Sequence, residues 1–177
     1  MGRLGEGDGQ TTVRLIWDGK VYYISGTAYT TKVQYDEFGK EVKEKLKTKV
    51  LANGSVCELF LFDSKLKLLT RHKVRLPMDN GGPYCIDSRG VGRAWPNVPA
   101  LLYSVTYYQV GTPLAKRAQD IGRNWIYSTY LLRLEKDAQG HIHFVQDDSC
   151  LGSRNHVASI AQARKVLHAR PQCEAPR

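Results

Sequence analysis

The sequence predicts an α+β fold made mainly of antiparallel β-sheet, able to curl into a barrel-like form, with two helices in its C-terminal half. Three observations carry this. Runs rich in Val, Tyr, Thr and Ile alternate with turn signals over the first 76 residues. A helix start is written at Thr112-Pro113, with Thr as N-cap and Pro at the first helical position. A helical apolar period recurs across Ser153–Ala169.

The elements follow in order. Residues 1–10 are polar and Gly-rich and read as a flexible arm. Thr12–Trp17 and Val21–Ser25 flank Asp18-Gly19-Lys20, a hairpin signal, because Asp-Gly supplies the positive φ angles of a tight turn. A third strand is expected over Thr27–Tyr35, then a turn at Asp36–Lys40. In Glu41–Val50, Val42, Leu46 and Val50 suit one face of either a helix or a strand. The flanking turn signals, including Asn53-Gly54, favour an edge strand whose outer face carries Lys43, Lys45, Lys47 and Lys49. Val56–Phe62 is apolar on both faces apart from Glu58 and reads as a central strand. Asp63-Ser64-Lys65 turns the chain into a strand over Leu66–Leu76.

Four of the seven prolines fall between Pro77 and Pro99, which predicts a long functional loop or linker. Ala100–Val110 is a Tyr- and Val-rich strand; Leu114, Ala118 and Ile121 share a helix face that Gly122 ends. Trp125–Leu134 and His141–Val145 form a hairpin across Asp137–Gly140. The last helix points Val157, Ile160, Ala161 and Leu167 inward and stops before Pro171. One domain is expected over 11–170, β-rich to 76 and α+β from 100, with 171–177 as a tail.

Composition narrows the function. A chain of 177 residues with 42% hydrophobic and 10% aromatic residues is not intrinsically disordered. It contains no apolar run of bilayer length, and its first residues lack a signal-peptide core, so no membrane partner is expected. The net charge of +9 is concentrated: ten basic residues against four acidic between Lys40 and Leu76, and five against one from Leu151 onward. Clustered cations suit a polyanion, since each neutralised phosphate releases counterions. Cys57, Cys85, Cys150 and Cys173 form no tight motif. Cys57 reads as a small buried hydrophobe, and the cysteines as reduced, in cytoplasm or nucleus.

The leading expectation is a nucleic-acid-binding protein, for DNA or RNA, without catalysis of its own. Its phosphate contacts would come from Lys43, Lys45, Lys47, Lys49, Lys65, Lys67, Arg71, Lys73 and Arg75 on a sheet face. Arg89 and Arg93, flanking Gly90-x-Gly92, would clamp the backbone, and Arg154, Arg164, Lys165 and Arg170 would anchor it from the last helix. Tyr103, Tyr107 and Tyr127 would offer rings for base stacking. A second reading is an assembly adaptor of a larger particle, such as a viral one, docking an acidic protein surface or forming an oligomer. A third is a histidine-based nuclease or metal-dependent hydrolase. His141 and His143 project from one strand face, with Asp147 as a catalytic partner or Cys150 as a metal ligand. His-x-His is common by chance and no wider ligand spacing supports it, so neither metal nor cofactor is expected.

Overall fold

A computed structural model describes residues 11–35, 50–77, 83–109 and 125–174. The strands are β1 (Thr12–Trp17), β2 (Lys20–Tyr35), β3 (Val50–Phe62), β4 (Leu68–Lys73), β5 (Pro83–Arg93), β6 (Ala100–Gln109), β7 (Trp125–Lys136) and β8 (Ile142–Gln146). They form two four-stranded antiparallel meanders, β1-β2-β3-β4 and β5-β6-β7-β8. Helices α1 (Asp148–Leu151) and α2 (Ile160–His168) follow, then a 3₁₀ turn at Pro171–Cys173. The fold is α+β and mainly antiparallel sheet; among the described residues the two sheets do not close into a barrel.

The first hairpin forms as its sequence dictates. Asp18 and Gly19 both have positive φ, 49° and 69°, the conformation that lets a two-residue turn follow strand twist. Beyond it, the two strands expected over 21–25 and 27–35 are one continuous β2. Its partner β3 absorbs the expected turn at Asn53-Gly54, which pair with Lys32 and Thr31. The lysine-rich segment 41–49 and the expected helix over 112–122 lie outside the described residues.

The sheets face each other across a core made by alternate residues of both. From the first come Val13, Leu15, Tyr22, Ile24, Cys57, Leu59 and Leu61; from the second, Val91, Leu101, Tyr103, Val105, Tyr130 and Leu132. At its centre the Tyr103 ring lies against Gly26, and its hydroxyl donates to the Thr27 carbonyl at 3.1 Å. A Cβ on Gly26 would sit 2.6 Å from Tyr103 Cε2 and 2.9 Å from Val91 Cγ2, so the residue without a side chain sets how closely the sheets approach. Burial pushes the Tyr103 phenol well above its ordinary pKa, keeping it a neutral donor.

A second core lies on the other side of the second sheet, where Ile160, Ala163 and Leu167 of α2 cover Leu102, Leu131, Ala100 and Trp95. Ala163, rather than the expected Ala161, faces inward, because α2 begins at Ile160 with Ser159 as its N-cap. The described part of the expected loop over Pro77–Pro99 is largely strand. It contains β5, an edge strand that starts on Pro83 and is broken by register shifts at Cys85/Asp87 and Ser88/Gly90. Proline at a strand start and glycine at bulges are both compatible with a sheet edge. Gly92 lies under α2, with its missing Cβ 3.1 Å from Ile160 Cγ2, so this glycine serves helix–sheet packing rather than a phosphate loop.

Two amide side chains finish the edges. Asn155 substitutes for a strand beside β7: its Oδ1 accepts from Thr129 N–H at 3.1 Å and its Nδ2 donates to Thr129 C=O at 3.1 Å. Segment 153–159 is therefore held against the sheet and does not join the expected helix. Where the chain leaves β4, Gln146 at the end of β8 bonds Arg75 in both directions, accepting from its N–H at 2.9 Å and donating to its C=O at 3.0 Å. A side chain thus joins the two sheets at this seam.

The cysteines correct the expectation of free thiols. Cys57 of β3 is bonded to Cys85 of β5, with Cα atoms 5.4 Å apart, a covalent link between the sheets. Cys150 of α1 is bonded to Cys173, with Cα atoms 5.9 Å apart, fixing the chain around α2. Disulfides persist in oxidising compartments, so the cysteines give no support to a reducing one. Sequence spacing hid the pairing because the partners stand 28 and 23 residues apart and meet only through tertiary packing, of the two sheets for one pair and around α2 for the other.

Two outcomes follow from this packing. Gly26→Ala should lower stability by about 2 kcal/mol through overpacking, seen as a fall in the urea midpoint at unchanged slope; an unchanged midpoint would show that the sheets have room to part. His72 lies on the core side of β4 with its ring centroid 6.1 Å from that of Phe144, and burial, reinforced by Arg75, pushes its pKa below the ordinary value against Gln146 and Glu58. The unfolded chain then takes up this proton first, so stability is full above about pH 6.5 and declines as pH falls below it. His72→Leu should flatten that part of the stability profile, and an unaltered decline would assign it to another group.

Candidate nucleic-acid interface

The two sheets differ in what covers their outer faces. That of the second is covered by α2, whereas that of the first carries half-exposed rings beside cations. The alternation that buries Cys57, Leu59 and Leu61 turns Val56, Glu58, Phe60 and Phe62 outward, and the register aligns them with neighbouring strands. Arg14 of β1 pairs with Tyr23 of β2, which pairs with Phe62 of β3. One row along, Ser25 pairs with Phe60, which pairs with Arg71 of β4. In the next row, Thr27, Glu58 and Lys73 align. The rings of Phe60 and Phe62 are near-parallel, with centroids 6.4 Å apart and planes at 26°.

Glu58 is the acid on this face, and it is 1% exposed. The Tyr29 hydroxyl donates to its carboxylate, and Arg71 Nε stands 3.8 Å from Oε1. That hydrogen bond is the main reason the Tyr29 phenol is held above its ordinary pKa. Covered and paired in this way, the carboxylate presents little negative charge to a ligand above it, while Arg71 keeps a side chain that is 67% exposed.

The other expected phosphate contacts are dispersed. Lys43, Lys45, Lys47 and Lys49 lie outside the described residues. Lys65 and Lys67 are exposed on the β3–β4 turn, at the end of the face rather than on it. Arg71 and Lys73 are on the face. Arg75 turns to the second sheet, donating to the Gln146 carbonyl at 3.1 Å and standing 3.7 Å from Asp148. Arg89 donates to the Ala158 carbonyl at 2.8 Å and lies 4.9 Å from the Tyr127 ring centroid. Arg164 donates Nε and Nη2 to the Arg93 carbonyl at 3.0 and 2.8 Å, so both arginines help seat α2. Arg170 donates to the Cys150 carbonyl, while Arg154 and Lys165 are exposed.

The expected stacking rings are rearranged as well. Tyr103 and Tyr107 are 0% and 2% exposed, part of the inter-sheet core, and offer no face to a base. Tyr127 is exposed, next to Trp125 at the start of β7. Tyr23, Tyr29, Phe60 and Phe62, and Arg14 beside them, are the members that sequence reasoning missed. The signal was present in β3, where two of the outward positions are phenylalanines; the strand is central, between β2 and β4, as its apolar character predicts.

The catalytic and metal candidates do not converge. His141 Nδ1 lies 3.1 Å from Asp137 Oδ2, and Asp137 Oδ1 accepts the His141 backbone N–H at 2.8 Å, within the β7–β8 turn. His143 is across from Glu135 on β7. Asp147 caps α1 through Ser149 N–H and pairs with Arg133 Nε at 2.9 Å. Burial would raise the Asp147 carboxyl, but its bonds with Ser149 and Arg133 outweigh this and hold it below the ordinary value. Cys150, bonded to Cys173, has no thiolate to give a metal. Among the described residues no three His, Cys, Asp or Glu side chains gather into a metal-holding group. No helix among them is long and apolar enough to cross a membrane.

No family model, curated protein or solved structure matches this chain.

Proposed function

We propose that this protein binds nucleic acid on the outer face of its first sheet, and that it prefers single strands. The observation that supports the reading most is the pair of cross-strand rows Arg14–Tyr23–Phe62 and Ser25–Phe60–Arg71, which set partly exposed aromatic rings next to guanidinium groups on one face. Base stacking on such rings contributes about 1–3 kcal/mol per base and needs unpaired bases, while the cations neutralise phosphates. Phe60 and Phe62 are 6.4 Å apart, so each ring can take its own base. Sequence-independent contact follows, because the face offers few groups shaped to read base edges.

The test is anisotropy with labelled single- and double-stranded DNA and RNA over a salt series. Phe60→Ala should weaken single-strand binding about tenfold at every salt concentration. Arg14→Ala and Lys73→Ala should each reduce the salt slope by about 1. Arg71 is a poorer probe, since removing it also strands the buried Glu58 carboxylate. Absence of binding at low salt, or affinity indifferent to both Phe60 and Arg14, would refute the reading; equal affinity for duplexes would refute the stacking part of it.

A further inference from the structure

The β3–β4 turn has a character of its own, separate from the aromatic face. Leu66 is 68% exposed, Leu68 46% and Leu69 41%, and Ile16 near the β1–β2 hairpin is 58% exposed. These are four of the seven large exposed hydrophobics among the described residues, and they gather at one end of the sandwich. The hairpin and the turn border one cavity of about 780 Å³, to which Lys20, Val21, Asp63 and Leu69 contribute. Lys65 and Lys67 alternate with Leu66 and Leu68, so cations flank the apolar tip.

The tip is pre-shaped. Asp63 Oδ1 accepts the backbone N–H groups of Lys65 and Lys67 at 2.8 and 2.9 Å, and its carbonyl accepts from Leu66 N–H at 3.0 Å. Leu66 is held at φ +61°, a left-handed conformation that a leucine adopts only at a cost. A large apolar side chain kept in a strained backbone and in water indicates a function for that side chain.

We infer that this turn is a docking tip for anionic membrane surfaces: Leu66 and Leu68 enter the headgroup–acyl boundary while Lys65 and Lys67 meet acidic headgroups. An exposed, aliphatic tip suits a deformable lipid interface, and leucine has no π-face for a base. The flanking lysines select an anionic surface and repel a second copy of the same tip. Because the turn is already ordered, docking adds little entropy cost. Binding is peripheral and reversible, so it departs from the expectation of no membrane partner, which rested on spanning runs and a leader alone, and its residues differ from those proposed to stack bases.

Flotation with phosphatidylcholine vesicles, with and without phosphatidylserine, tests this. The full chain should bind the phosphatidylserine vesicles selectively and lose affinity as salt rises. Leu66→Asn keeps the turn, since Asn tolerates left-handed φ, and should reduce vesicle binding about tenfold while leaving oligonucleotide binding unchanged. Lys65→Glu with Lys67→Glu should abolish the preference for phosphatidylserine. No vesicle binding, equal binding to neutral vesicles, or indifference to Leu66→Asn would overturn the inference. So would a dimer in light scattering that Leu66→Asn dissolves, which would identify a second copy as the occupant. Vesicle binding by Phe60→Ala, alongside its weakened oligonucleotide binding, is the result that keeps the two surfaces distinct.

Discussion

The architecture depends on one close approach, the Tyr103 ring over Gly26. Two meanders that share no hydrogen-bonded ladder among the described residues are held face to face by side chains. The centre of that contact is a full ring on one sheet and the absence of a side chain on the other. The Tyr103 hydroxyl then reaches the Thr27 carbonyl, which satisfies a polar group inside an apolar layer. The Cys57–Cys85 bond fixes the same two sheets through neighbouring strands, β3 against β5, and constrains the unfolded chain as well. With its inner face committed to this contact, the first sheet turns its outer face to a partner.

Edges are the other constraint on a sandwich of two open sheets, because unpaired strand groups must find partners. The amides of Asn155 and Gln146 meet it, one completing β7 beyond the end of β8 and the other tying the exit of β4 to β8. Removing Asn155 would leave the buried Thr129 backbone groups unpaired, at about 1–3 kcal/mol for each such group. These contacts keep β4 and β8 together without merging the sheets into a barrel. They also carry the chain from β8 to α2, which covers the second sheet; among the described residues no helix covers the first.

Local chemistry was readable from sequence, and long-range pairing was not. Asp18-Gly19 announced its hairpin because the two residues alone supply the required backbone angles. Asn53-Gly54 carried a similar signal and became strand, because β2 opposite extends to meet it. Pro83, Gly90 and Gly92 looked like loop residues, yet an edge strand with bulges accepts all three. Tyrosine alternation located β6 correctly but could not say which face was buried; the sheet packing put Tyr103 and Tyr107 inside. The cysteine pairs, Asn155 and Gln146 act between residues distant in sequence, and their roles follow only from topology.

Nucleic acid is proposed to lie on the outer face of the first sheet. Ultraviolet crosslinking of a single-stranded oligonucleotide, followed by mass-spectrometric location of the adducts, tests it most directly, since crosslinks form at rings in contact with bases. Adducts are expected on Tyr23, Phe60 or Phe62. Adducts confined to Trp125 and Tyr127, the exposed rings of the second sheet, would contradict it.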